Sequence, residues 1–380
     1  MTAIPTTPLK QMPLYDLHLA AGARIVEFGG WSMPVQYKGI VAEHQAVRSG
    51  VGIFDVSHMG KFTLIGEGVL KALQQIVPSN LARLQAGQAQ YTVLLNPEAG
   101  IIDDVIFYRH ADIENSAGKS EHWSVIVNAS TTTKDKTWIE NHLNHLGSDR
   151  AAIQFFDNSN EQILLAIQGP QALTTLQPLI AEDLSQLKRF GHRQAHVLGT
   201  PSFVARTGYT GEDGCEIMTD IATGRLLWQK LLDLGVVPCG LGCRDTLRLE
   251  AGMHLYGQDM NDSTTPLEAD LGWVVHLAEK GDFIGRSPLE QQKASGIQRK
   301  LVALEMEGRN IARHDYPICY DGETVGIVTS GTMSPTLGKA IALGYVPTAL
   351  AKLGQSLQVQ IRNQAYPARV VKRTFYKPAN

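Results

Sequence analysis

Apolar positions recur along this chain with two periods, and the alternation between those periods outlines its organisation. Residues 38–50 place Ile40, Val41, His44 and Val47 on one face before Gly50 and Gly52, the pattern of an amphipathic helix and its stop. Residues 67–77 repeat that spacing with Val69, Leu70, Leu73, Ile76 and Val77, ended by Pro78. Continuous apolar runs then predict strands at 91–95, 105–108 and 123–127, followed by a helix over 131–146. A similar order returns: a buried strand at 163–167, a helix from Gly169-Pro170 through Leu179, a hairpin over 202–218 turning at Glu212-Asp213-Gly214, and a helix over 224–234. From about Leu301 the pattern changes to short strands separated by Gly and Pro, at 301–306, 324–329, 340–346 and 356–361, as in a small β-barrel or sandwich. Residues 281–296 read as the linker into it. The chain is therefore expected to be α+β, with two α+β units and a C-terminal β domain.

Composition narrows the classes. A chain of 380 residues exceeds one ordinary core. With 43% hydrophobic and 19% charged residues it is globular, and a net charge of −3 gives no reason to expect a nucleic acid as partner. No apolar run is long enough to span a membrane, and the first ten residues lack the apolar core of a signal peptide and the arginines of a presequence, so a cytoplasmic location is expected. Cys215, Cys239, Cys243 and Cys319 are scattered without a zinc pattern, as expected of free thiols in a reducing compartment and of a protein with no metal. The tail from Arg369 to Lys377 carries four cations and no acid, either as a solvated edge or for an anionic group.

The candidate chemistry is polar residues where the pattern expects apolar ones. Asp103-Asp104 sits in Gly100-Ile-Ile-Asp-Asp-Val-Ile-Phe-Tyr108, at the mouth of a strand entering a core, where carboxylates must be bonded, paired or used. Strand alternation sends the two acids to opposite faces, one structural and one free to hold an amine or move a proton. The competing reading is a turn, 96–100, whose backbone Asp103 satisfies. Arg206-Thr-Gly-Tyr-Thr-Gly-Glu-Asp-Gly-Cys-Glu-Ile217 offers Tyr209 as a ring face and Glu216 as acceptor for the paired N–H groups of a pterin-like amidine, against a plain hairpin with exposed acids. Arg244 opens a helix and can bind a carboxylate, against an intra-helix Arg–Glu ladder. Met59 in Phe54-Asp-Val-Ser-His-Met-Gly60 can pack on a planar ligand, and His58 reads as structural. No dinucleotide fingerprint, P-loop or serine nucleophile elbow is present.

Together these segments resemble the aminomethyltransferase, or T-protein, family of the glycine cleavage system. Pro13-Leu-Tyr-Asp, Gly22-Ala-Arg, Phe28-Gly-Gly-Trp-Ser-Met-Pro34 and Phe54-Asp-Val-Ser-His-Met-Gly60 run in family order. The acid pair, the Arg206 segment, Arg244-Asp-Thr-Leu-Arg-Leu-Glu-Ala-Gly252 and Gly326-Ile-Val-Thr-Ser-Gly-Thr332 follow, so the resemblance covers essentially the whole chain. It implies a three-domain cloverleaf around a central folate cavity: residues 1–50 with 147–280 as one α+β, ferredoxin-like unit, 51–146 as another, and 297–380 as a C-terminal β-barrel or jelly roll. It implies transfer of the one-carbon unit of an aminomethyl-lipoyl H-protein to tetrahydrofolate as co-substrate, with release of ammonia. By the same likeness Asp104 is catalytic, Glu216 holds the pterin edge beside Tyr209 and Met59, Tyr91 and Asn128 line the cavity, and Arg244 and Tyr376 help place the substrate. The H-protein is expected to dock near the cavity mouth with help from Lys372 and Arg373. Residues 111–121 depart from the family as a loose polar hairpin insertion. Two alternatives belong to the same fold. A folate-dependent demethylation module is expected to carry an upstream flavin domain, for which these residues offer no fingerprint. A non-catalytic folate-binding protein of iron–sulfur cluster maintenance carries Lys-Gly-Cys-Tyr-x-Gly-Gln-Glu, where this chain has Arg-Thr-Gly-Tyr-Thr-Gly-Glu-Asp.

Overall fold

The computed structural model describes residues 8–115, 118–145 and 152–378. The expected domain boundary at 146/147, the centre of the 111–121 insertion and the first residues of the chain lie outside them. The chain divides into two compact units, one of residues 1–60, 158–208 and 212–245, the other of 61–157, 209–211 and 246–380.

In the first unit a six-stranded sheet runs in the order His192–Val197, Thr200–Ala205, Gly214–Asp220, Gln162–Gln168, Gly52–Asp55, Val237–Pro238. All neighbours are antiparallel except the last pair. The central strand Gln162–Gln168 is buried over Ile163–Gln168, which is why its sequence is a continuous apolar run rather than an alternating one. Helix Ile221–Asp233 lays Leu227, Trp228 and Leu231 against Ile163, Leu165 and Ile217. Its start is set by Asp220, whose carboxylate caps Thr223 N at 3.0 Å.

In the second unit a sheet runs Ile153–Asp157, Gly60–Gly66, Gly118–Val127, Ile101–Arg109, Gln88–Leu95, with Ile113–Asn115 pairing Gly118–Ser120 as the expected hairpin. Helices Val69–Ile76 and Thr132–Asn144 cover it through Leu73, Ile76, Ile139 and Leu143. The C-terminal strands Arg299–Met306, Ala340–Pro347, Glu323–Met333, Pro317–Tyr320, Ser356–Ile361 and Gln364–Val371 close into a barrel. Residues 281–296 are not a plain linker: they contain helix Arg286–Ser295, polar along its length and anchored by the buried Leu289.

Strand Ile101–Arg109 reaches further towards its turn than the apolar run alone predicts, because the acids are part of the ladder. Its partner register reads Leu94 opposite Asp103 and Leu95 opposite Ile101, so Ile102 is an extra residue, a bulge beside the acid pair. Bulges re-aim neighbouring side chains. The turn before it is capped by Asn96, whose side-chain oxygen accepts Gly100 N at 2.7 Å and Glu98 N at 3.1 Å. Asp103 is therefore not needed to satisfy that turn. Gly100 is required there, since a Cβ would lie 1.7 Å from the Asp262 carbonyl oxygen.

Candidate active site

Asp103 is fully buried. Its Oδ1 accepts Asn128 Nδ2 at 2.8 Å, and its Oδ2 accepts Asn128 N at 3.0 Å and the Thr131 hydroxyl at 2.8 Å. Asp104 accepts the Tyr91 hydroxyl at 3.0 Å and the same Asn128 amide at 2.8 Å. The main chain alternates from Asp103, buried, to Asp104, half-buried, as expected, yet one amide nitrogen of Asn128 reaches both carboxylates and ties them together. Asn128 follows the end of strand Gly118–Val127, where that strand runs beside Ile101–Arg109, so its side chain meets the acids laterally.

Burial pushes the Asp104 carboxyl up to about 7, and the charge of Asp103 adds to the rise, while the Tyr91 and Asn128 hydrogen bonds oppose it. Asp104 is thus poised to hold or release a proton near neutrality. Tyr91 is raised well above its ordinary value, first by burial and then by Asp104, so it stays a donor. Its ring stacks on Trp273 with centroids 5.7 Å apart and planes at 21°. Trp273 is 55% exposed, a flat apolar surface beside the acid. Tyr91→Phe removes a donor that favours the ionised acid, so the acid limb of the Asp104 titration is expected to move to higher pH; a pH–rate profile checks this.

The same unit holds Tyr209 and Tyr376. The Tyr209 hydroxyl donates to the His254 carbonyl oxygen, and the Tyr376 N–H donates to Glu250 O at 2.9 Å. His254 is lowered to about 4 by burial and by Arg373, so its imidazole is neutral; Nε2 donates to Ala269 O at 2.6 Å and Nδ1 accepts Arg373 at 3.2 Å. Arg373 also reaches Gly252 O at 3.2 Å and Asp270 Oδ2 at 3.2 Å, and its charge acts on Tyr91. It is committed within its own unit, which leaves Lys372 as the exposed cation of the expected docking pair.

In the first unit Glu216 is buried on strand Gly214–Asp220 and accepts the Thr207 hydroxyl at 2.5 Å. The neighbouring acids are not the exposed acids of a plain hairpin: Asp213 pairs with Arg206 through two hydrogen bonds, and Glu212 is buried against Arg48 at 2.8 Å. Met59, half-buried, stands after a turn fixed by Asp55, which accepts Ser57 N at 2.9 Å and pairs with His18 at 2.9 Å. His58 packs edge-on to Phe28 and Trp31, as a structural histidine does. Arg244 sits half-buried in the first turn of helix Leu241–Glu250. Further along this helix Arg248 pairs with Asp259, and Glu250 accepts Ser334 and Thr336. Glu43, Cys239 and Cys243 lie near one another, but the Glu43 carboxylate already accepts Tyr37 N, Gly39 N and Gly240 N. Burial keeps the Cys243 thiol protonated, so this group reads as a buried cap.

The structure therefore brings Tyr91, Asp104 and Asn128 into one hydrogen-bonded group. Sequence reasoning missed Trp273, Thr131 and Asp135 around it. The signal for Trp273 was a lone Trp in Gly272-Trp273-Val274; Thr131 and Asp135 followed Asn128 at helical spacing.

This mixed α+β chain with a closed six-stranded C-terminal barrel falls in the glycine cleavage T class: the GCVT N-terminal domain matches residues 14–279 and the glycine cleavage T-protein C-terminal barrel domain matches 299–377. An aminomethyltransferase of Nostoc sp. is 59% identical over 98% of this chain and 97% of its own length. One of Picosynechococcus sp. is 58% identical, over 97% and 98%. The crystal structure of glycine cleavage system aminomethyltransferase T from Bartonella henselae superposes with a TM-score of 0.89 at 34% identity, covering 97% of this chain and 99% of that one. The chain belongs to the glycine cleavage T-protein family, and it is an enzyme of the aminomethyltransferase type. Identity at this level over the full length does not favour the demethylation or binding-only alternatives. Among the described residues no helix is long and apolar enough to cross a membrane.

Proposed function

We propose that this chain takes the one-carbon unit from the aminomethyl group on the lipoyl arm of an H-protein and gives it to tetrahydrofolate. The methylene carbon loses its bonds to sulfur and to the amine nitrogen and gains bonds to two folate nitrogens. The two protons those nitrogens release go one to the lipoyl sulfur and one to ammonia, leaving 5,10-methylenetetrahydrofolate, a dihydrolipoyl protein and ammonium. The observation that carries this reading is the Asp104 carboxyl, raised to about 7 and fixed between the Tyr91 hydroxyl and the Asn128 amide. In its ionised form it stabilises positive charge developing at the aminomethyl carbon and can accept a proton from a folate nitrogen.

The remaining roles follow from chemistry. The Tyr91–Trp273 stack offers a flat face to an aromatic ring. The Glu216 carboxylate suits the paired N–H groups of a pterin, Tyr209 and Met59 suit the faces of that ring, and Arg244 suits a carboxylate of the glutamyl portion. Tyr376 contributes through the C-terminal segment. The division into 1–50 with 147–280, 51–146 and 297–380 belongs to this proposal, as does a cytoplasmic site of action.

Ammonia release from aminomethylated lipoyl carrier protein, with and without tetrahydrofolate, tests the reading. Fast release that requires tetrahydrofolate and yields methylenetetrahydrofolate is expected. Folate binding with no stimulated release would assign the chain to the binding proteins instead.

A further inference from the structure

Asp135 lies in the first turn of helix Thr132–Asn144, and the transfer chemistry leaves it without a role. Its side chain is fully buried, and both carboxyl oxygens are shut from solvent without an N–H or O–H donor of their own. Thr131, the donor within reach, gives its hydroxyl proton to Asp103 Oδ2 at 2.8 Å. Asp135 N donates to Thr131 O at 2.8 Å, and the Thr131 hydroxyl lies between the two acids, so the Asp135 carboxyl faces Asp103 and the two act on each other directly. Two buried carboxyls in contact cannot both ionise, so they share a proton. The donors decide which one holds it: Asp103 accepts from Asn128 N, Asn128 Nδ2 and Thr131, so Asp103 is the anion and Asp135 the acid.

We propose that Asp135 is a positioning residue for the reaction: its neutral carboxylic acid donates to Asp103, keeps that carboxylate ionised and aligned on Asn128, and through Asn128 and the Asp103 charge fixes the orientation and ionisation of Asp104. The inference rests on the assignment of Asp104 to the chemistry. The electrostatics agree with the geometry. Burial, the Asp103 charge and the hydrogen bond to Asp103 push Asp135 up to about 10, and after burial the Asp135 bond is the largest influence on Asp103, favouring its ionised form. Lys134, which opposes the rise at Asp135, is tied to Tyr256 at 2.7 Å and Asp262 at 3.0 Å. The Tyr256 hydroxyl remains protonated and donates to Ile101 O at 3.1 Å. Tyr91 faces Asp104, and Tyr209 and Arg373 act on Tyr91.

The test compares Asp135→Asn with Asp135→Ala. An asparagine amide still donates to Asp103, so kcat within about twofold of wild type and an unmoved acid limb are expected for it. Alanine leaves Asp103 to take up the proton itself; the repulsion on Asp104 disappears, and the acid limb of kcat moves to lower pH by about 1. With Asn128 less firmly held, kcat also falls several-fold while KM for tetrahydrofolate stays near wild type. Equal pH profiles for wild type and Asp135→Ala would overturn the proposal. Infrared difference spectra add a readout that needs neither turnover nor a folded alanine variant. At about pH 8.5, between the values of Asp104 and Asp135, wild type should show the carbonyl stretch of a buried, protonated carboxylic acid that Asp135→Asn lacks, and its absence would also overturn the proposal. If wild-type enzyme does not turn over the aminomethyl carrier, the functional reading fails, while the infrared spectra still decide which carboxyl holds the proton.

Discussion

Asp104→Asn is expected to lower turnover by about 10²–10⁴-fold, the range for removing a group that moves a proton or meets developing charge, while tetrahydrofolate binding persists. Asparagine keeps the shape of the side chain, and its oxygen can still accept the Asn128 amide while its nitrogen faces the Tyr91 hydroxyl oxygen. What it loses is the charge and the exchangeable proton. The pH dependence gives a second signature. Wild-type turnover should fall as pH drops below about 7, where the buried Asp104 takes up a proton, and the residual rate of the variant should be flat there. Stability has the opposite sense. A carboxyl whose folded value lies above its ordinary value contributes stability that is fully present below about pH 4 and is lost as pH rises through about 7. The variant has no such loss, so it should melt no lower than wild type at about pH 8. Single-turnover ammonia release, equilibrium folate binding and thermal melts check the three parts, and unchanged turnover would remove Asp104 from the chemistry.

The periodic elements were legible because burial writes its period into the sequence. Val69, Leu73 and Ile76 predicted their helix, and strand Ser356–Ile361 has the bounds its alternation indicates. Helix Arg286–Ser295 was not legible, since Leu289 is its single buried residue and a polar helix carries no stripe. The Asp103–Asp104 pair stood out as acids entering a core, and the family resemblance singled out Asp104. Its surroundings did not, because they come from separate elements: Tyr91 from the paired strand, Asn128 from the end of a third, Asp135 from the helix beyond. The bulge at Ile102 is likewise a property of pairing with Leu94 and Leu95, and neither strand alone encodes it. Asn96 was a turn residue by composition, but only its hydrogen bonds to Glu98 N and Gly100 N release Asp103 from that task.

The last turn of helix Leu241–Glu250 and the segment after it give the largest expected stability effect. Arg248 and Asp259 form an ion pair at 2.7 Å with side chains 1% and 0% exposed. Arg248 also donates to Met253 O at 3.1 Å and to the Ser330 hydroxyl at 2.8 Å. Asp259 accepts Leu255 N at 2.9 Å and the Thr329 hydroxyl at 2.5 Å, while its carbonyl accepts the Tyr345 hydroxyl at 2.7 Å. The pair therefore ties residues 248–259 to barrel strands Glu323–Met333 and Ala340–Pro347, beside the apolar contacts of Leu249 with Leu301 and Leu343. Removing one partner of such a pair leaves the other charge buried and uncompensated, so Arg248→Ala is expected to cost about 3–5 kcal/mol. Adding Asp259→Leu should recover only part of that loss, because Leu255 N and Thr329 would then lose their acceptor. Urea denaturation of the single and double variants measures both. A midpoint for Arg248→Ala equal to that of wild type would mean that the pair, despite its burial, does not hold this segment to the barrel.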